Sequence, residues 1–168
     1  MFTFYQKHNN KLYNKLVQLS RNKFFYQEIK LKDDFQTRAL LIFFYLVIII
    51  KTKKSDENKK ILQKLFDNIF QNIEIDIREL GYGDTKVNQT MKSLSKIFYD
   101  ILLNIDIKKS SKNDNYTDFL KKYFYSNEKI KDPPNINKLA DYFEKFEDFC
   151  FDLDVNNMLN GSIDFKFR

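Results

Sequence analysis

The chain has 168 residues, 43% hydrophobic and 17% aromatic, with 29 basic and 23 acidic side chains and a formal net charge of +6. That much apolar material excludes disorder throughout, a single cysteine excludes a disulfide scaffold, and three glycines with two prolines speak against loop-dominated or all-β architectures. The expectation is one domain over residues 1–168, an all-α bundle of about five to seven helices around a central αα-hairpin.

Residues 10–20 place Leu12, Tyr13, Leu16, Val17 and Leu19 at helical spacing. Phe24–Phe25–Tyr26 opens a shorter element ending near Asp33 and Asp34, either of which can cap the next helix. That helix holds the apolar run from Ala39 to Ile50. The run spans only 12 residues between Arg38 and Lys51, whereas a membrane-spanning helix needs about 20. A buried central helix is the expectation, with an interfacial segment or a strand as alternatives. Residues 51–60 are polar and read as the exposed connection, with Ser55 beside Asp56 or Asn58 as the cap.

Leu62, Phe66, Ile69, Ile73, Ile77 and Leu80 make residues 61–80 a helix, although Ile73 to Ile77 also alternates like a strand. Gly81 stands where a left-handed residue stops a helix, and Asp84 is placed to cap the next one. Val87, Met91, Leu94, Phe98, Ile101 and Ile105 carry that second helix, and the short Gly81–Tyr82–Gly83 link pairs the two as an αα-hairpin. Residues 108–115 read as a polar linker. Tyr116, Phe119, Leu120, Tyr123 and Phe124 give a short amphipathic helix. Pro133–Pro134 interrupts the chain, and Asn135 is expected to cap a final long helix bearing Ile136, Leu139, Phe143, Phe146, Cys150 and Leu153. The tail after Gly161 reads as short, strand-like or loose.

Lysines number 25 and arginines only four. With abundant Asn and Ile and just two alanines, this lysine load matches A/T-rich codon usage as well as a selected basic surface. Charge is nevertheless uneven. Residues 1–64 carry 14 basic and 5 acidic side chains, residues 65–168 carry 15 and 18. Such a dipole can orient a protein at an anionic membrane or near RNA, and it fits a merely solubilising surface equally well.

Familiar chemistry is scarce. His8 is the sole histidine, so a histidine-based triad or a His-rich metal site is not expected. Cys150, flanked by Phe149 and Phe151 on an apolar stripe, reads as an inert buried thiol. No dinucleotide fingerprint, Walker loop or Cys-x-x-Cys motif occurs. Asp76, Glu79 and Asp84 could converge around the hairpin turn, but structural or partner-contact roles outweigh catalysis. Arg78 stands out, because arginine in a lysine-biased chain suggests a position needing the bidentate fork. It can pair with Asp84 across the turn or contact a partner.

The stretch from Leu65 to Leu102 resembles the ubiquinol–cytochrome c chaperone family. The resemblance rests on Asp76, Arg78, Glu79, Leu80, Gly81, Gly83 and Asp84, continued by Val87, Met91, Lys92, Phe98 and Tyr99. Leu12–Tyr13, Phe25–Tyr26 and Arg38 extend it over about residues 10–105. Ile77 replaces a leucine of the block, and Tyr45 stands where the resemblance leads us to expect histidine.

The resemblance implies a chaperone of cytochrome b during assembly of respiratory complex III. It implies no catalytic residues and no cofactor. The implied partners are cytochrome b or other complex III subunits, with the ribosome, a small helical co-chaperone and peripheral contact with the inner membrane also on that list, and no DNA. The absence of a visible signal or transit peptide suggests a bacterial protein in the cytoplasm or at the inner face of the inner membrane. The expected partner surface comprises Arg78, Glu79, Gly81, Tyr82, Gly83, Asp84, Lys92 and Tyr99. The alternative is a basic helical module that binds ribosome, RNA or an anionic membrane.

Overall fold

The computed structural model describes residues 10–105, 114–126 and 133–167. Among them, seven α-helices and one π-helical turn are present and no strand. The helices are α1 (Lys11–Ser20), α2 (Phe35–Lys53), α3 (Lys59–Glu79), α4 (Asp84–Asn104), α5 (Asp114–Phe124), α6 (Ile136–Asp152) and α7 (Val155–Leu159), with the π-helical turn at Phe24–Glu28. Residues 73–77 are helical despite their alternation, because the helical period continues on both sides of them. His8, most of the 108–115 linker and the side chain of Tyr116 fall outside the described residues.

α2 is the spine. It packs on α1, α3, α4, α5 and α6. Every side chain from Ala39 to Ile49 is buried. Being covered on all sides explains why the run has no periodicity. By length and composition α2 could cross a bilayer, yet here it is a core helix. It also runs one turn further than the sequence suggests: Lys51–Lys53 finish the helix, so the connection is only residues 54–58. Lysines suit the last turn, where unpaired carbonyls carry the negative end of the helix dipole. The Lys51 ammonium donates to the Ile105 carbonyl at the end of α4, and Lys53 donates to that of Phe151 at 3.2 Å.

Side-chain caps hold some helices and not others. Asp34, not Asp33, caps α2 by accepting from Thr37 N–H at 2.8 Å, while Asp33 pairs with Arg38 at 2.7 Å. Asn10 caps α1, and Asp154 caps α7. The expected caps of α3, α4 and α6 are not formed. Ser55 instead accepts from Asn58 N–H within the connecting turn. Asn135 occupies the N-cap position of α6 with φ at 68°, and its side-chain amide donates to Glu28 O at 2.9 Å. It therefore ties α6 to the π-helical turn. That turn ends at Glu28, short of Asp33, and Lys30 in the left-handed region redirects the chain so that Leu31 N–H reaches Phe25 O at 2.9 Å.

With almost no alanine, the core is filled by rings. One cluster joins Phe43 of α2 to Phe70 of α3 and Phe98 of α4, with centroids 5.3–5.5 Å apart. A second joins Phe25, Phe44, Tyr45, Tyr142, Phe143 and Phe146. The tail after Gly161 is neither strand-paired nor loose: Phe165 and Phe167 lie 5.3 and 5.2 Å from the Tyr142 ring.

Inside the second cluster the hydroxyls of Tyr45 and Tyr142 share a hydrogen bond of 2.6 Å. Burial raises the pKa of both, that of Tyr142 to about 12, so both stay protonated. Tyr45→Phe should cost about 1–3 kcal/mol, because it strands a buried hydroxyl, and the Tyr45→Phe/Tyr142→Phe double variant should recover most of that loss. Urea denaturation of the four proteins of the cycle checks this.

Candidate functional site

The corner between α3 and α4 is built by backbone first. Leu80 N–H reaches back to Asp76 and Ile77 carbonyls, and Gly81, at φ 89°, donates to Arg78 O at 3.0 Å. Gly83 is extended and is the N-cap of α4, its carbonyl accepting from Val87 N–H at 3.0 Å. Asp84 is consequently the first helical residue, one position too late to cap. Its carboxylate faces the positive end of α4 and accepts from Arg78 Nη1 at 2.5 Å. Arg78 Nη2 holds Glu74 at 3.0 Å. The fork thus holds Glu74 within α3 and Asp84 across the turn, an internal latch at the corner.

Asp84→Ala should leave the melting temperature close to wild type, since no cap is lost and the ion pair is exposed. Gly81→Val should cost more, about 1–2 kcal/mol, purely from the left-handed backbone. A β-carbon there would meet nothing within 4 Å. Gly81→Asn, which tolerates that region, should cost less than Gly81→Val in the same thermal melts.

The expected partner residues do not form one compact patch. Leu80 is 52% exposed, Tyr82 45% and Tyr99 49%. Glu79, Gly81, Gly83, Asp84 and Lys92 are exposed as well. Lys86 sits over the Tyr82 ring at 5.9 Å. At 1.5 Å per residue, however, Lys92 lies roughly 12 Å and Tyr99 roughly 22 Å along α4 from Asp84. Tyr99 belongs with Phe66, whose ring is 5.9 Å away, and with exposed Leu103 one turn further on. The surface is a stripe running from the corner up α4.

The three carboxylates weighed for acid–base chemistry do not converge. Asp84 is held by Arg78, whereas Asp76 accepts from the Tyr13 hydroxyl on the other side of α3. Asp76 and Glu79 face a cavity of about 270 Å³ between α1, α2 and α3. Its apolar lining comes from Val17, Phe35, Ala39, Ile42, Ile73 and Leu80, and Arg21 and Arg38 line it as well. The same two arginines also line a polar cleft of about 430 Å³ with Lys23, Tyr26, Gln27 and Asp33. Sequence reasoning missed this site. The signal available was the argument already applied to Arg78, that each of the four arginines marks a position worth inspecting.

Tyr45, where histidine was expected, is wholly buried against Tyr142, so in this chain the position belongs to the core. Cys150 is buried too, and burial pushes its thiol up to about 12. Among the described residues no three His, Cys, Asp or Glu side chains gather to hold a metal ion.

The arrangement of helices is that of a known structure. The chain matches the crystal structure of the Cbp3 homolog from Brucella abortus with a TM-score of 0.74 and 19% identity, over 94% of this chain and 87% of that one. The family model for ubiquinol-cytochrome C chaperones matches residues 27–167, and the chain belongs to that family. A comparison with curated proteins finds no match.

Proposed function

We propose that the protein is a non-enzymatic assembly chaperone for ubiquinol–cytochrome c reductase that engages cytochrome b through the stripe running from the α3–α4 corner along α4. The observation that carries this reading is the family match over residues 27–167, which contains the entire corner and α4. The stripe suits an apolar client: exposed Leu80, Tyr82, Tyr99 and Leu103 offer contact area, rimmed by Glu79, Lys86 and Lys92. Its place of work is the cytoplasm or the inner face of the inner membrane, where client helices emerge.

The test separates contact from architecture. Tyr82→Ser and Tyr99→Ser should keep the wild-type melting temperature, reduce co-purification of cytochrome b from native membranes and lower complex III levels. Arg78→Gln breaks only exposed ion pairs and should also stay close to the wild-type melting temperature; loss of client capture would make Arg78 a partner contact, and undiminished capture would leave it a latch alone. Normal complex III levels with stably folded Tyr82→Ser/Tyr99→Ser protein would overturn the assignment of this surface. Capture that collapses between low and moderate salt would point instead to phosphate-driven binding of RNA, ribosome or membrane.

A further inference from the structure

We propose that the cleft between the end of α1, the π-helical turn and the start of α2 binds the anionic head of a single-chain amphiphile, whose tail lies in the adjoining apolar cavity. Three observations carry it. First, two cations face the cleft unused: among the described residues no carboxylate lies within ion-pair reach of Arg21 or Lys23. Arg38 is neutralised by Asp33, so the cleft keeps a net positive charge. In a chain with 25 lysines, an arginine beside a second arginine and without a carboxylate partner among the described residues is a fork that can take an anion.

Second, the cleft and the cavity share Arg21 and Arg38 as a common wall, so one ligand can present its head to the cations and its chain to Val17, Ala39 and Ile42. A cavity of about 270 Å³ has room for roughly nine groups of the ~30 Å³ size of a water molecule, which is a medium-length alkyl chain. Third, α3 contributes Asp76 and Glu79 to the cavity lining, whereas α1 and α2 contribute the arginines. Glu79, with no cation of the described residues paired to it, disfavours an anionic head on its side of the cavity. Tyr26 completes the cleft, its hydroxyl donating to Ser20 O at 2.6 Å.

The probe is decyl phosphate, kept below its micelle-forming concentration and titrated calorimetrically into the full chain. One molecule per chain is expected to bind, with inorganic phosphate and neutral decyl maltoside each weaker by about tenfold or more. Arg21→Gln and Lys23→Gln change exposed side chains and should each weaken decyl phosphate by about tenfold without changing the melting temperature. Val17→Phe should fill the cavity and weaken decyl phosphate while leaving inorganic phosphate unaffected; should it fail to fold, the two charge variants decide alone.

Flotation with phosphatidylcholine vesicles, with and without phosphatidylglycerol, distinguishes the sources. Saturable binding of decyl phosphate without flotation supports a free single-chain amphiphile, whereas flotation that depends on phosphatidylglycerol and on Arg21 would show a two-chain membrane lipid and overturn the single-chain assignment. Undiminished binding by Arg21→Gln/Lys23→Gln, equal affinity for decyl maltoside or for inorganic phosphate, or no binding of decyl phosphate would each overturn the proposal.

Discussion

Phe143→Ala is expected to cost about 3–5 kcal/mol, the range for removing a fully buried ring from a packed core. Phe143 is wholly buried on α6 and meets Phe44 and Tyr45 of α2 at 5.1 and 5.8 Å, Phe25 of the π-helical turn at 6.4 Å and Tyr142 at 5.4 Å. Its removal opens the seam between the two helices that bury most of the core. Domains of this size are stable by about 5–15 kcal/mol, so the variant should be partly unfolded under mild conditions. Phe143→Leu keeps part of the volume and should cost clearly less. Phe151→Ala, eight residues later on the same helix and 44% exposed, should stay within about 0.5 kcal/mol of wild type. Urea midpoints for the three variants test the ranking; equal losses for Phe143→Ala and Phe151→Ala would show that this seam is not the core.

Gly161→Val should be the most damaging glycine substitution, beyond Gly81→Val. Both glycines have positive φ, 73° and 89°. The difference is space. At Gly161 a β-carbon would stand 2.7 Å from the carbonyl oxygen of Lys11, a backbone atom that cannot step aside alone, whereas at Gly81 it meets nothing. Strain of about 1–3 kcal/mol is therefore joined by overpacking of similar size. The chain can relieve the clash only by parting α7 from the start of α1. Hydrogen exchange should then show lost protection in α1 and α7 with α3 and α4 unchanged.

Periodicity and turn chemistry made much of this architecture legible. The α3–α4 hairpin follows from a sustained helical step pattern broken by Gly81, and the burial of α2 was legible in an apolar run without periodicity, although the helix itself runs on to Lys53 and reaches membrane-spanning length. The failures have a shared cause. Asp84 and Asn135 are good caps by residue type, but capping is decided by which residue is extended at the junction. Gly83 takes that place before Asp84, and Asn135 is drawn away by the Glu28 carbonyl. The π-helical turn depends on Ile29 N–H reaching Phe24 O at 3.0 Å, a pairing that packing against α6 supports and local sequence does not announce. The cavity and cleft draw their walls from separate helices, so no window of sequence contains them. The latch was legible because Arg78 and Asp84 are six residues apart, close enough for a short turn to bring them together.

The all-round burial of α2 also has a meaning in time. α2 is finished at Lys53, but α6, which covers one long side of it, does not begin until Ile136, about 80 residues later. At about 5–20 residues per second, the ribosome needs about 4–16 s to supply that cover. For those seconds the side of α2 that α6 will cover stays open, on a helix that by length and composition passes for a membrane segment. A member of a chaperone family must first complete its own synthesis without its central helix being taken for a membrane segment.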